Sequence, residues 1–196
     1  MKPMKAKPVA ATLALTLLAL PAPAPAALEP EDASLVPLFL QNCTSPDMNA
    51  NGILAGVAGS PDWTEVSSPD VNLPALEQVP SRLTTGVFRR SDSVRQWQRT
   101  VNGRQITLVI AALPRRSVYR HACVLFAPGI RNAMPYLEAM RAGMRAVGLS
   151  GRSTDLPHYQ EYGGRLADRR QAHADIFSRS RALSAPRAMH LAIVYE

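Results

Sequence analysis

The distribution of proline sets the strongest limit on where this 196-residue chain can form a sheet. The chain contains 17 Pro, but none lies between Ser81 and Leu113. Because proline cannot donate a backbone hydrogen bond, interior strands are expected in such a stretch. Within it, Asn102-Gly103 separates an alternating run around Trp97 from the β-rich run Gln105–Leu113. Asn-Gly favours the type I′ turn, so this segment predicts a β-hairpin.

The segments that follow extend the hairpin and supply a helix to cover it. Pro114-Arg115-Arg116-Ser117 is typical of a turn, and Val118–Ala127 predicts a third strand, completing a meander. Asn132–Val147 predicts an amphipathic helix that stops at Gly148. Its apolar stripe consists of Leu137, Met140, Met144 and Val147. We expect Trp97 and the alternate residues of the hairpin to face this helix and form one core with it.

The N-terminal part predicts short helices. Glu31–Cys43 has apolar residues at helical spacing, although Pro37 moves the expected start toward Val36. Asp47–Gly59 predicts a second short helix with a small-residue face. Residues 60–80 contain four Pro and are expected to form a surface connection.

The C-terminal part predicts three further strands, near Tyr159–Ala167, Ala172–Ser178 and Met189–Tyr195, and no internal repeat is visible. Helices and antiparallel strands without βαβ alternation indicate the α+β class. The predicted fold is an antiparallel sheet with a central meander packed on one amphipathic helix, with short N-terminal helices and one disulfide.

The first 26 residues have the form of a secretory signal peptide. Three Lys precede the apolar stretch Val9–Leu20, and Ala24-Pro25-Ala26 provides a small-x-small cleavage pattern. Twelve apolar residues are too few to cross a bilayer, which takes about 18 or more. We therefore expect residues 1–26 to be removed, residues 27–196 to form a single domain that does not span the membrane, and the location to be periplasmic or secreted.

Cys43 and Cys123 are the only cysteines, and export would place them where disulfides persist. We expect them to be bonded, with Cα atoms about 4.4–6.8 Å apart. The alternative is a nucleophilic Cys123 activated by His121, since residues i and i+2 of a strand share a face. That alternative would leave Cys43 unpaired in an oxidising compartment, so the disulfide is favoured.

Several of these positions together resemble small exported bacterial proteins of unassigned activity. The shared features are Phe39-x-x-x-Cys43, the short Ala/Gly-rich helix reaching Ala58-Gly59 and then Trp63, the strand residue Trp97, and Cys123 on a later strand. The resemblance covers about residues 35–127. It implies a disulfide-stapled α+β domain and no particular chemistry.

Charge excludes some functions and suggests one. Without residues 1–26 the chain has no Lys, 19 Arg and 15 Asp+Glu, a net charge of +4. Without Lys there can be no Walker-type phosphate lysine, Schiff-base lysine or Ser-Lys dyad. Residues 27–77 hold eight acids and no base, whereas residues 78–133 hold ten Arg and one acid, Asp92.

This asymmetry allows two interpretations. The Arg-rich sheet surface can dock an acidic protein or an anionic envelope component through Arg95, Arg99, Arg115 and Arg116. Alternatively, the acids of residues 27–77 cover this surface within the molecule. Nucleic acid is not an expected partner in an exported compartment. We expect Arg95 and Arg99 to share one face of a strand, and Arg104, Arg115 and Arg116 to gather at the ends of the sheet.

Histidines carry the remaining enzymatic alternative, a small hydrolase with a site around His121, His173 and His190. The fourth imidazole is His158, and no HExxH or CxxC motif occurs. His173 and Asp175 would share a face of an extended strand, a weak two-ligand arrangement. Ser150 lacks the glycine that a nucleophile elbow needs at Arg152. We therefore predict no catalytic residue, no metal site and no cofactor, and expect a non-catalytic module. A site at which at least two His converge with an acid would favour the hydrolase instead.

Overall fold

A computed structural model describes residues 33–44, 56–66, 92–130, 133–152, 159–177 and 188–196. Its helices are α1 (Leu35–Cys43) and α2 (Met134–Ala146), and residues 56–58 are also helical. Its strands are β1 (Thr64–Glu65), β2 (Ser93–Val101), β3 (Arg104–Ala112), β4 (His121–Pro128), β5 (Leu149–Arg152), β6 (Tyr159–Arg165), β7 (Gln171–Phe177) and β8 (Ala188–Tyr195). The predicted signal peptide and most of the predicted helix Asp47–Gly59 lie outside the described residues.

The predicted hairpin is present, with the turn that its sequence favours. Asn102 and Gly103 have φ values of 50° and 75°, as a type I′ turn requires. β2 and β3 pair in register on either side, from Val101 opposite Arg104 to Ser93 opposite Ala112. The third strand starts later than predicted, at His121 rather than Val118. The connection is longer because a turn closed by the Ser117 N–H on the Pro114 carbonyl (2.8 Å) precedes it.

The helices and the remaining strands depart from the predicted bounds in explicable ways. α1 begins at Leu35 and keeps Pro37 in its first turn, where a missing N–H breaks no helical bond. α2 begins at Met134 with Pro135 in its first turn. β6, β7 and β8 lie where strands were predicted, within about two residues.

Two short strands were not predicted. β1 and β5 contain two and four residues, too few for an alternating pattern to be visible. β1 lies in the segment 60–80, which was expected to be a connection throughout; this expectation is corrected for Thr64–Glu65.

The eight described strands form one antiparallel sheet in the order β1-β2-β3-β4-β8-β7-β6-β5. The α+β class with an antiparallel sheet is therefore confirmed. The order is symmetric about the β4–β8 pair: two four-stranded meanders meet there, and a helix precedes each of them along the chain. The sequence contains no internal repeat from which this symmetry could be predicted.

Strand alternation gives the sheet two distinct faces. On one, the helix face, Trp97, Leu108, Leu125 and Leu191 are consecutive cross-strand partners from β2 to β8, and all are buried. The second face carries a parallel row that starts with Gln96, Val109, Val124 and Ala192. It continues into Asp175, Glu161 and Arg152. This row is apolar at the centre of the sheet and becomes charged toward β5.

Both helices contribute to the core of the helix face, and Trp97 and Met140 belong to the same buried cluster. α1 contacts β4, β8 and α2, whereas α2 contacts β5 and α1. Gly143 of α2 lies against the Leu40 side chain of α1, which a Cβ at position 143 would overlap. The prediction of one covering helix is therefore corrected: α1, held to β4 by a disulfide, shares this face with α2.

The predicted disulfide joins Cys43 at the end of α1 to Cys123 in β4, with Cα atoms 5.6 Å apart. Cys123 pairs with Ile193 of β8 and with Ile110 of β3, so the bond ties α1 to the middle of the sheet. No free thiol remains. The alternative of a nucleophilic Cys123 is therefore wrong.

We predict that removing the disulfide lowers stability substantially. It closes a span of 80 residues, which corresponds to about 4–5 kcal/mol in the chain-entropy treatment. Urea unfolding of a Cys43→Ala/Cys123→Ala variant should show a lower midpoint than the oxidised parent. The reduced parent should resemble the variant, and coincident midpoints of oxidised parent and variant would contradict the prediction.

We also predict that α2 is required for the core. Met140 is fully buried in α2, whereas Ala142, two residues later, is exposed. Met140→Asp should abolish cooperative thermal unfolding or lower the Tm sharply, because it buries a carboxylate among apolar side chains. Ala142→Asp introduces the same residue at an exposed position and should melt close to the parent. Equal melting temperatures for the two variants would show that α2 does not contribute to the core.

Candidate functional site: the arginine-rich end and the second face of the sheet

Arg95 and Arg99 lie on the same face of β2, as predicted, and each is in an ion pair with an acid of the preceding segment. Arg95 donates two hydrogen bonds to the Glu65 carboxylate, from Nε to Oε1 and from Nη2 to Oε2, both 2.8 Å. Arg99 Nη2 lies 3.0 Å from Asp62 Oδ2. The Arg95 hydrogen bonds lower the pKa of Glu65.

This arrangement follows from the β1–β2 pairing. Glu65 of β1 is the register partner of Trp97, which places its side chain beside Arg95. The Arg95 guanidinium also lies 5.1 Å from the centre of the Trp97 ring. Part of the acidic N-terminal third thus covers this part of the arginine-rich surface within the molecule, as the competing interpretation expected.

Arg115 and Arg116 occupy a different location, the connection between β3 and β4, where both are exposed. The strand pairing around Tyr195 shows which segments lie near Arg115 and Arg116. Tyr195 pairs with His121 at the start of β4 and also with Ala172 at the start of β7. The β3–β4 connection and the β6–β7 turn therefore lie at the same end of the sheet. Arg104, beside the Asn102-Gly103 turn, lies at the opposite end, so the predicted gathering of turn arginines is split between the two.

We call this end of the sheet the basic end; its five exposed arginines are Arg115, Arg116, Arg120, Arg165 and Arg169. A sixth, Arg170, pairs with Asp168 and lies 4.9 Å above the centre of the Tyr195 ring. Within the described part of the chain, no guanidinium of the five is in an ion pair with a carboxylate. The basic end therefore presents five arginines that form no ion pair with an acid of the described residues; Asp92, Asp168 and Glu196 lie at the same end.

The three histidines of the hydrolase hypothesis do not meet. His121 is on the helix face, with its ring 5.4 Å from that of Tyr195, and burial together with Arg170 and Arg120 lowers its pKa. His173 and His190 are on the second face, on the neighbouring strands β7 and β8. His158 lies outside the described residues.

His173, Asp175 and His190 do share the second face, so two imidazoles and an acid lie near one another there. However, His190 is buried against Phe177, with ring centres 5.3 Å apart. Neither of its ring nitrogens has a hydrogen-bond partner in the described structure. Burial lowers the pKa of His190 to about 3, which keeps the ring neutral. A His190–Asp175 dyad is therefore not formed in this arrangement.

A second group of residues, which surrounds His173, was not predicted from the sequence. The Tyr119 ring meets the His173 ring edge-on at 5.7 Å. A Cβ at Gly163 would lie 3.3 Å from His173 Nδ1 and 3.6 Å from Arg152 Nε. The absence of a side chain at Gly163 thus lets Arg152 of β5 and His173 of β7 approach across β6. This proximity depends on β5, which was too short to predict.

Among the described residues, no three His, Cys, Asp or Glu side chains are grouped in a way that could hold a metal ion. The helices within these ranges also lack the length and apolar character needed to cross a membrane.

Comparisons with protein-family models, with curated proteins and with solved structures found no match for the chain. The resemblance to small exported bacterial proteins therefore stays a prediction.

The neutral, buried His190 predicts a specific loss of stability in acid. Its pKa is about 3 in the folded chain and 6.5 for an ordinary imidazole. Between these values the unfolded chain binds a proton that the folded chain excludes, so stability present above pH 6.5 is lost as the pH falls toward 3. For this residue the loss between pH 7 and pH 5 is about 2 kcal/mol.

Urea unfolding of the parent and a His190→Phe variant at pH 7 and pH 5 tests this prediction. The variant should lose less stability than the parent over that interval, whatever its stability at pH 7. An identical loss in both proteins would show that His190 does not control the acid response.

Proposed function

We propose that this chain is an exported, non-catalytic binding module that docks an acidic protein through its basic end. The observation that carries the proposal is the contrast between two groups of arginines. Arg95 and Arg99 are paired with Glu65 and Asp62, whereas the five exposed arginines of the basic end have no ion pair among the described residues. Exposed guanidinium groups without an ion pair favour carboxylates, which they bind through paired hydrogen bonds.

An exposed apolar side chain supports a protein as the partner. Val118 is 70% exposed and lies between Arg116 and Arg120 in the β3–β4 connection. Protein interfaces combine apolar contacts with arginine at their centre and polar groups at the rim. One valine supplies too little apolar surface to anchor a loop in a bilayer, where each buried CH₂ contributes about 0.8 kcal/mol. Arginines surrounding a small apolar contact therefore fit an acidic protein surface better than a lipid headgroup layer.

Export is part of this proposal and is supported by the signal-peptide pattern of residues 1–26 and by the disulfide, which is compatible with an oxidising compartment. The hydrolase alternative has less support. Its three histidines are divided between the two faces of the sheet, and His190 is buried without a hydrogen bond from the residues described.

We predict that the oxidised chain, residues 27–196, binds immobilised poly-L-glutamate, and that an Arg115→Gln/Arg116→Gln variant elutes at clearly lower salt. The matched control is Arg95→Gln/Arg99→Gln, which removes the same two charges from the paired site. Its elution should stay closer to that of the parent, because Glu65 and Asp62 already offset those charges. Equal shifts for the two variants would mean that net charge alone governs retention, and the docking surface would be withdrawn.

A second measurement separates a protein partner from a membrane. Sedimentation with phosphatidylglycerol vesicles, compared with phosphatidylcholine vesicles, should recover little of the chain at 150 mM salt. Val118→Ser should reduce binding to poly-L-glutamate only slightly, because that probe has no apolar patch. Strong, Val118-dependent recovery with the anionic vesicles would overturn the assignment in favour of a membrane surface.

A further inference from the structure

Arg152 and Glu161 face each other across β5 and β6 on the second face, yet they form no ion pair. They are register partners in the antiparallel ladder. Opposite charges at such positions ordinarily attract and pair. Here the Glu161 carboxylate instead accepts a hydrogen bond from the Tyr159 hydroxyl. The Arg152 guanidinium therefore forms no ion pair with the carboxylate of its register partner, Glu161.

The Arg152 side chain lies over Gly163 instead. Its Nε approaches the space that a Cβ of Gly163 would occupy to 3.6 Å, and the His173 ring approaches the same space to 3.3 Å. A cation and an imidazole are thus brought together above a residue that has no side chain. Tyr119 closes the other side of His173, with ring centres 5.7 Å apart and the rings edge to face.

These groups can all act as hydrogen-bond donors. A guanidinium has five N–H donors, a neutral imidazole has one, and a phenol has one. Arg152 is exposed, His173 and Tyr119 are partly exposed, and the described residues place no carboxylate in an ion pair with Arg152. The nearest acid along the ladder, Glu161, is already hydrogen-bonded to Tyr159.

We propose that Arg152, His173 and Tyr119 form a binding site for a small oxyanion, a phosphate or a carboxylate, above Gly163 on the second face of the sheet. Arg152 supplies the charge and two parallel donors, and His173 supplies one further donor beside it. The proposal differs from the basic end in its ligand and in the residues that carry it, Arg152 of β5 and His173 of β7, although Tyr119 belongs to the β3–β4 connection that also carries Arg115 and Arg116.

The electrostatic setting of His173 provides a direct readout. Burial and then the Arg152 charge lower its pKa, while the Glu161 charge acts in the opposite direction. Asp175 is the next residue of β7 on this face, and Tyr119 contacts the ring from the β3–β4 connection. An anion bound beside Arg152 offsets the positive charge next to the imidazole. The pKa of His173 should therefore rise when the site is filled.

The experiment is an NMR titration of the His173 ring signals with inorganic phosphate in the folded, oxidised chain, repeated with acetate. We expect a saturable shift and a rise in the pKa of His173. Arg152→Gln should weaken phosphate binding about tenfold or more, as expected for the loss of a charged hydrogen-bonding partner. Stronger binding of phosphate than of acetate would assign the ligand as a phosphate group, and the reverse would assign a carboxylate.

Three variants sharpen the test. Arg145→Gln removes another exposed arginine, from α2 on the helix side of the sheet, and should leave the titration unchanged. Gly163→Ala should weaken binding because its Cβ enters the space between Arg152 and His173. Arg115→Gln/Arg116→Gln should leave the His173 response intact, while Arg152→Gln should leave retention on poly-L-glutamate intact. A non-saturable His173 shift, or one that is the same in Arg152→Gln as in the parent, would overturn the site without affecting the proposed docking surface.

Discussion

The pairing of β4 with β8 is the interaction on which the rest of the structure depends. It joins the middle of the chain to its C-terminal strand, in register from His121 opposite Tyr195 to Pro128 opposite Ala188. Each meander could form from local hairpins, but the β4 edge of one and the β8 edge of the other would then stay unpaired. Only their union aligns the buried row from Trp97 to Leu191 on the helix face. The Cys43–Cys123 bond adds α1 to this central pair, which offsets part of the entropy cost of a contact so distant in sequence.

The same pairing gives the second face its uneven chemistry. From β3 to β8 its central row is valine and alanine, and from β7 to β5 it becomes Asp175, Glu161 and Arg152. Asp175 and His190 are buried there, and burying such groups costs stability unless they are hydrogen-bonded or paired. An antiparallel sheet that needs only a core would place apolar residues at these positions. The polar half of this face is therefore where we place the oxyanion site.

The elements that the sequence predicted are those specified by local physics. Asn102-Gly103 determines its turn, β8 is an apolar strand interrupted only by His190, and α2 has an apolar stripe that ends before Gly148, whose φ is +91°. The strand order was not predictable, because nothing local states that β8 returns beside β4. The candidate site residues divide in the same way, into features that local sequence specifies and contacts that depend on the strand order. Alternation placed Arg95 and Arg99 on one face, but their partners Glu65 and Asp62 depend on a two-residue strand that carries no pattern. Tyr119, Arg152 and His173 come from separate segments of the chain, the β3–β4 connection, β5 and β7. No sequence spacing therefore predicts that they lie together.

Charge distribution is best understood as a consequence of this topology. The pairs Arg95–Glu65 and Arg99–Asp62 are solvent-exposed, and exposed ion pairs contribute little to stability. Their larger effect is to cancel charge at the side of the sheet formed by β1 and β2. The described acids of residues 27–77, Asp62 and Glu65, are both used in this way. The β3–β4 connection lies at the end of the sheet, outside these two pairs. The exposed arginines of the basic end, which form no ion pair among the described residues, therefore lie where the chain also exposes Val118, and this coincidence of charge with an apolar side chain is the basis of the proposed docking surface.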